Sequence, residues 1–293
     1  MRVPFWPEPD AAPTLEPNRR VIKLKGIEPL PFETHGQRDI YISRSIDRSG
    51  MWEETTTSLM AELLRKDADL VDVGANIGWY SVVAGHYLGS RGEIHSFEPD
   101  KRNLELLRRN VALSSLTNVR VNAFALSDGD RSELLSLDAD NLGDHRLGAR
   151  DGYAFVHVNA RALDGYAGIR RRPLVIKLDV QGSELDVLRG CSKLLRHHPE
   201  EIVLLCEICS MLDDRGARLD DLCELFIENG FVAAVLNQQT RSIRPEGWQS
   251  LRRRWGAMRL ADAALAEDIV LFRRFDGLMK ALLDCGLRKV EKT

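Results

Sequence analysis

From residue 70 onward, short apolar runs alternate with longer segments in which apolar residues recur every three or four positions. The runs predict strands at Leu70–Val73, Glu93–Phe97, Val119–Ala125, Leu174–Leu178, Ile202–Glu207, Phe231–Leu236 and Ile269–Phe272. Helical stripes lie between them. Ile77, Tyr80, Ala84 and Tyr87 form the first, Leu104, Leu107 and Val111 the second. Val187, Leu188, Cys191 and Leu195 form another, and Leu219, Leu222, Phe226 and Ile227 a later one. Strand–helix alternation over four units predicts an α/β fold, a largely parallel sheet with helices on both faces. Ligands of such sheets bind beyond the strand C-termini, where the winding reverses.

Two regions depart from this rhythm. Residues 21–69 carry VIKLKG and DIYISRS, whose patterns suggest strands, and then a helix in TTTSLMAELLRK. They predict an N-terminal cap over one edge of the sheet. Residues 126–173 are long, polar and glycine-rich, with a short strand expected at Ala154–Val158; such long connections inside a compact domain tend to be functional. Residues 1–20 are dense in proline and lack the apolar core of a signal peptide, so they are expected to form a flexible arm. The main domain then spans 70–275. The last segment, FDGLMKALLDCGL, reads as an amphipathic helix suited to homo-oligomer formation, and 276–293 are assigned to this C-terminal helix.

Composition narrows the class. Apolar residues make up 44% of the 293-residue chain, enough for a sizeable core, and the formal net charge is −3. No global basic field is present to recruit nucleic acid, and no run approaches the roughly 20 apolar residues of a membrane span. Five cysteines, an odd number without framework spacing, point to a reducing compartment and a cytoplasmic protein. Cys206 and Cys209 lie three apart in a predicted strand, so their thiols should face opposite sides and remain inert.

The chemistry starts at LVDVGANIGWY, residues 70–80. Gly74 can adopt the backbone angles of a tight strand-to-helix turn, and Gly78 lets the helix approach a ligand closely. The G-x-x-x-G spacing is not the G-x-G-x-x-G of a dinucleotide loop, and no lysine followed by Ser/Thr serves a triphosphate. Asp72, just before the loop, would repel a pyrophosphate but suits a ligand with an ammonium or sulfonium group. Glu98, at the end of the second strand, can accept hydrogen bonds from both ribose hydroxyls, each worth roughly 1.5–3 kcal/mol. Nicotinamide enzymes use an acid there too. Asp72, Gly74, Gly78 and Glu98 in this order favour S-adenosylmethionine as cofactor. An NAD-dependent dehydrogenase and a catalytically silent cofactor-binding scaffold are the alternatives.

LVDVGANIGWYS, HSFEPDKRNLELLRRNV, VNAFALSD and VIKLDVQGSELDVLRG resemble the successive motifs of the FkbM family of class I S-adenosylmethionine-dependent methyltransferases, over about residues 38–275. The resemblance implies a Rossmann-like sheet of seven strands whose last strand runs antiparallel. It also implies methyl transfer to oxygen, commonly a hydroxyl of a sugar or natural product. Carried over by position, Asp72, Gly74, Ala75, Asn76 and Gly78 would line the methionine end of the cofactor and Glu98 would hold the ribose. Ser127 and Asp128 would lie near the adenine, although Asp128 in SDGD also suits an Asx turn, and Asn76 also suits a left-handed loop position. Many family members carry glutamate where this chain has Gln181, so a role needing charge there is not transferred.

For the reaction itself, Asp179 at the end of the fourth strand is the candidate base or acceptor-orienting residue; an N-cap acid is the plainer role. Lys177 lies two residues earlier on the same strand face and should pair with an acid if buried. Glu184 has a plain explanation as an acid in a first helical turn. With Asp179 and Glu207 it can also supply oxygen ligands to Mg²⁺, but without a tight D-x-D pair or a His cluster no metal site is assigned. The loop DADNLGDHRLG offers Asn141, Asp144 and Arg146 for acceptor recognition, beside Gln181, and His145 as a second candidate base; it is expected to fold over the acceptor. GWQSLRRRWGAMRL joins Arg252, Arg253 and Arg254 to Trp248 and Trp255, a set suited to a phosphorylated or nucleotide-linked acceptor or, more plainly, a solvated charged face. The expected partner is a small hydroxylated acceptor.

Overall fold

A computed structural model describes residues 18–24, 26–64, 67–170, 172–209, 219–260, 266–273 and 288–289. The chain opens with a hairpin, β1 (Asn18–Ile22) and β2 (Leu30–Thr34), then helices α1 (Ile42–Ser49) and α2 (Glu54–Leu64). Next come β3 (Asp69–Val73), α3 (Trp79–Leu88), β4 (Ile94–Phe97), α4 (Lys101–Leu113) and β5 (Val119–Asn122). An insert follows, made of β6 (Ala125–Leu126), β7 (Arg131–Leu137), β8 (Arg146–Leu147) and β9 (Ala154–Arg161). The second half contains β10 (Leu174–Leu178), α5 (Glu184–Gly190), α6 (Ser192–His197), β11 (Ile202–Cys209), α7 (Leu219–Glu228), β12 (Val232–Asn237), β13 (Ser242–Glu246), α8 (Trp248–Leu260), β14 (Ala266–Arg273) and β15 (Arg288–Lys289).

Every residue of β3, β4 and β10 is buried, which is why these strands read as continuous apolar runs. The main sheet has the order β15-β13-β12-β14-β11-β10-β3-β4-β5. β11, β10, β3, β4 and β5 pair in parallel, whereas β14 enters antiparallel between β11 and β12. This is the Rossmann-like class I methyltransferase sheet, with its last core strand reversed. Two further strands, β13 and β15, extend it to nine. The winding reverses between β3 and β10, so the C-terminal ends of these strands open the mouth of the fold.

One apolar cluster joins the N-terminal hairpin, α1, α2 and α3 to one face of the sheet; a second joins α5, α7 and α8 to the other. The N-terminal segment thus covers a face, with the Phe32 ring packed edge-on against Trp79 at 5.6 Å, and not the edge expected from the sequence. DIYISRS is not a strand. Its second half starts α1, because Ile42 and Ile46 are the buried pair at i, i+4 while Tyr41 stays exposed. Asn18, Arg19 and Arg20, assigned to the flexible arm, belong to β1; residues 1–17 lie outside the described residues. The helix expected in 276–293 falls largely outside them too, and Arg288–Lys289 forms a short strand parallel to β13. Among the described residues no helix is long and apolar enough to cross a membrane. Cys191, Cys206 and Cys223 are buried free thiols.

Candidate functional site

The turn after β3 is built around Gly74, whose φ is +76°. A Cβ on Gly74 would lie 2.0 Å from the Asp179 carbonyl oxygen, so the turn and the end of β10 approach as closely as they do only because that position has no side chain. Gly78, at φ +88°, does the same for α4: an added Cβ would meet Leu107 Cδ1 at 2.4 Å. Asn76 holds the left-handed conformation between them, at φ +50°, and its Oδ1 accepts from the Ile77 N–H at 2.7 Å.

Glu98 faces this turn from the tip of β4. Its Oε2 accepts from the Asn76 N–H and its Oε1 from the Asp100 N–H, both at 2.8 Å. Burial, with the neighbouring Asp100 carboxylate, pushes its pKa up to about 8 despite these two donors. Asp100 caps α4, accepting from the Arg102 and Asn103 amides.

A cleft opens between the turn, β10 and the insert. Gly74, Asn76, Glu98, Asp179 and Gln181 line it on one side; Leu126, Leu135, Leu142, Leu147 and His145 line it on the other. Of the residues singled out in the sequence, the cleft therefore gathers Gly74, Asn76, Glu98, His145, Asp179 and Gln181.

Others stand behind it. Asp72 is buried and accepts from Ser81 Oγ at 2.5 Å, clamping α3 to the sheet; burial raises its pKa to about 6. Ala75 packs on Leu104 and Leu107. Ser127 is buried where Gly190 of α5 presses on its carbonyl, and Asp128 pairs with Arg131 at the surface. The structure does not bring these two to the cleft. In the insert, Asn141 Oδ1 accepts from the Gly143 N–H at 3.1 Å, and Asp144 takes both ends of Arg146 at 2.7 Å. These three organise the loop, and only Leu142, Gly143, His145 and Leu147 of that segment reach the cleft.

Beyond Asp179 lies a group of polar side chains. Lys177 is buried, and its ammonium donates to Asp179 Oδ2 at 3.3 Å. Gln181 Nε2 bridges two acids, donating to Asp179 Oδ1 at 2.7 Å and Glu207 Oε2 at 2.9 Å. Burial opposes charge on Lys177, but Asp179, Glu53, Glu207 and Asp268 outweigh it and hold the ammonium protonated. Burial also works against the Asp179 carboxylate, yet Lys177 and Gln181 keep it below the usual range. The Asp179 charge, together with burial, lifts Glu207 to about 9. At neutral pH Asp179 is thus ionised and Glu207 carries a proton.

Glu53, Gln238 and Asp268 of this group were not singled out in the sequence, and Tyr80 only as part of an apolar stripe. Glu53 accepts from the Tyr80 hydroxyl, and burial raises it to about 7. Asp268 stands opposite Glu207 in the β11–β14 ladder and accepts from Gln238 Nε2 at 2.8 Å. An available signal was the reversed last strand: its start, where Asp268 sits, falls on the same side as the ends of the parallel strands. Glu184 points away, its Oε1 accepting from the Gly182 N–H at 3.1 Å, so it does not join Asp179 and Glu207. Among the described residues no three His, Cys, Asp or Glu side chains converge as a metal site.

The basic and aromatic segment near the C-terminus is structural. Trp255 is buried with its Nε1–H on Glu267 at 2.8 Å, and Trp248 stacks on Phe226. Arg254 pairs with Glu246 and Glu267, and Arg252 with Asp220 and Glu224, bracing α8 against α7 and the sheet.

Comparison with known proteins gives the same frame. The Hexuronic acid methyltransferase AglP of Haloferax volcanii is 28% identical over 145 residues, covering 49% of this chain and 58% of that protein. The "Probable cobalt-precorrin-6B C(15)-methyltransferase (decarboxylating)" of Sulfolobus acidocaldarius is 33% identical over 84 residues, covering 29% of this chain and 41% of that one. The chain thus spans about half the length of the curated relatives it matches. The crystal structure of a Methyltransferase FkbM from Methylobacillus flagellatus KT aligns with a TM-score of 0.38 at 17% identity, over 71% of this chain and 44% of that one. The profile of the Methyltransferase FkbM domain matches residues 72–233, from the glycine turn to β12 and more than half of the sequence. The chain belongs to the FkbM methyltransferase family.

Proposed function

We propose that the protein is an S-adenosylmethionine-dependent O-methyltransferase acting on a small hydroxylated acceptor, a sugar or a glycosylated or polyketide-like metabolite. The observation that carries this reading is Glu98, a carboxylate lining the cleft beside a glycine turn too tight for any Cβ. Two carboxylate oxygens at that place suit vicinal ribose hydroxyls. Gly74 and Asn76 would hold the amino-acid end and Glu98 the ribose. When bound, S-adenosylmethionine supplies an electrophilic methyl group on its sulfonium.

The chain's own contribution is alignment, which can be worth roughly 7–11 kcal/mol in a reaction of this kind. Asp179 lines the cleft and stays ionised beside Lys177, so its carboxylate can accept the hydrogen of an acceptor hydroxyl and aim the oxygen. Lys177 and Gln181 fix that carboxylate from behind. Lys177, held protonated, acts as a positioning residue and not as a base. His145 is also a poor base: its Nδ1 already accepts from the Asp138 N–H at 3.1 Å. AglP, a hexuronic acid methyltransferase, supports a sugar-like acceptor.

Calorimetric titration with S-adenosylhomocysteine beside NAD⁺ tests the cofactor assignment. S-adenosylhomocysteine alone should bind, and Glu98→Ala should weaken it at least tenfold. Asp179→Ala should cut turnover with little change in cofactor affinity. Binding of NAD⁺ alone would overturn the reading in favour of a dehydrogenase. Tight S-adenosylhomocysteine binding without turnover on any acceptor would leave a silent scaffold.

A further inference from the structure

Strand register lays out the polar groups around Lys177. Residues two apart on a strand share a face. Val175, Leu205, Val270 and Leu236 are buried in the apolar cluster that joins the N-terminal segment to the sheet. Two positions nearer the mouth stand Glu207 on β11, Asp268 on β14 and Gln238 just past β12, and on β10 Lys177 and then Asp179 follow Val175. Glu207 lies opposite Asp268 in the β11–β14 ladder, and Asp179 continues β10 to the same level. Asp179, Glu207, Gln238 and Asp268 are all half-buried, so this apolar face ends in a polar shelf that solvent reaches.

The start of α2 is fastened to the shelf. Thr55 Oγ1 donates to the Gln238 carbonyl at 3.3 Å, and Gln238 Nε2 donates to Thr56 Oγ1 as well as to Asp268. Glu53, the residue before α2, has φ +40°, a left-handed angle that a residue with a side chain holds only where its surroundings enforce it. Its carbonyl accepts from the Thr57 amide of α2 at 2.8 Å, while its half-buried carboxyl turns to the Tyr80 hydroxyl. Lys177 Nζ lies 5.3 Å from the centre of the Tyr80 ring and 3.3 Å from Asp179 Oδ2, which gathers Glu53 and Asp179 about one ammonium. Gln181, which bridges Asp179 and Glu207, is strained in the same way at φ +50°. Glu53, Gln238 and Asp268 lie outside residues 72–233, so this part of the shelf is supplied by the chain's own flanks and not by the shared domain.

We propose that Glu53 is a specificity-determining residue that binds the hydroxyl next to the one Asp179 aims, so that the acceptor is a saccharide with vicinal hydroxyls and not an isolated alcohol. The inference rests on the O-methyltransferase reading above and deepens it. Neighbouring strands lie about 4.8 Å apart, so Asp179, Glu207 and Asp268 present polar groups at intervals comparable with the span of a sugar ring. A hydroxyl both donates and accepts, and the shelf offers both partners: the Asp179 carboxylate accepts, and the proton on Glu207 can be donated. An acceptor lacking the neighbouring hydroxyl leaves such groups unpaired, which is how a polar site discriminates most strongly.

Methyl transfer from radiolabelled S-adenosylmethionine to methyl glycosides of hexoses, 6-deoxyhexoses and hexuronic acids tests this on the full chain, each beside its monodeoxy analogues. On the glycoside methylated fastest, removing the hydroxyl beside the methylated one should raise KM about tenfold or more. Glu53→Ala should raise KM for the parent glycoside by a similar factor, with kcat within threefold and S-adenosylhomocysteine affinity within twofold of wild type. On the deoxy analogue the same variant should change KM less than twofold, because the lost partners are one pair. Glu53→Gln, close in shape, should recover part of the loss on the parent, and it carries the same comparison if Glu53→Ala does not fold. Equal losses on parent and deoxy analogue, or a fall in kcat at unchanged KM, overturn the inference. So does a wild-type chain that binds S-adenosylhomocysteine and methylates none of these glycosides. No binding of S-adenosylhomocysteine by the wild-type chain would instead remove the reading on which the inference rests.

Discussion

A carboxylate that must accept ribose hydrogens works only when ionised, and Glu98 is held near pH 8 by burial. Its proton must leave before it can act as a double acceptor, so cofactor affinity should rise as pH climbs through about 8 and level about one unit above it. Calorimetry across that range, in buffers of different ionisation enthalpy, should show proton release that fades at the plateau; a flat profile would detach Glu98 from binding. Gly74 makes a second prediction at this scale. Alanine there meets the Asp179 carbonyl and a backbone angle that costs roughly 1–3 kcal/mol for a residue with a side chain. Gly74→Ala should lower the melting temperature and abolish S-adenosylhomocysteine binding, whereas alanine at Gly152, which also has positive φ but open space around it, should leave binding intact.

Among the elements, one buried side chain of α4 ties the N-terminal hairpin by its backbone. Asn110 is buried, accepts from the Glu33 N–H at 2.7 Å, and donates to the Glu33 carbonyl at 2.9 Å and the Ile77 carbonyl at 2.8 Å. Alanine would strand three backbone groups, at about 1–3 kcal/mol for each that water cannot reach. Asn110→Ala should therefore speed amide exchange in Arg19–Thr34 well before β3 or β10 respond; unchanged exchange there would show that packing alone holds the hairpin. The elements also show what a sequence makes legible. β10 was readable to the residue because burial on both faces leaves an unbroken apolar run. The DIYISRS segment reads as a strand because Ile40 and Ile42, two apart, mimic alternation, while the helical partner of Ile42, Ile46, lies just beyond it. Glu98 and Asp179 were found because each ends a strand. Glu53, Tyr80, Gln238 and Asp268 were missed because the group around Lys177 is assembled from segments far apart in the chain, which local patterns do not register.

For the molecule as a whole, the carboxyl groups set the response to pH. Burial, together with the Asp179 charge in the case of Glu207, raises Asp72 to about 6, Glu53 and Glu184 to about 7, Glu98 to about 8 and Glu207 to about 9. Each holds its proton more tightly folded than unfolded. The stability this contributes is fully present below the unfolded values near 4 and is lost as pH rises through the folded ones. The protein without ligand should melt at a lower temperature at pH 8.5 than at pH 5.5; a higher melting temperature at pH 8.5 would contradict the proton count assigned to these acids. The reversed strand β14 has a different consequence. Among the described residues it is the strand that joins β11 to the β12–β13 pair within the sheet, yet it is made after all of them. Until it arrives, β11 presents an apolar edge with unpaired amides, the kind of surface that recruits other chains. A chain stopped before residue 266 should accumulate as aggregate, not as a folded half, because the last core strand to be synthesised is the one that closes the sheet.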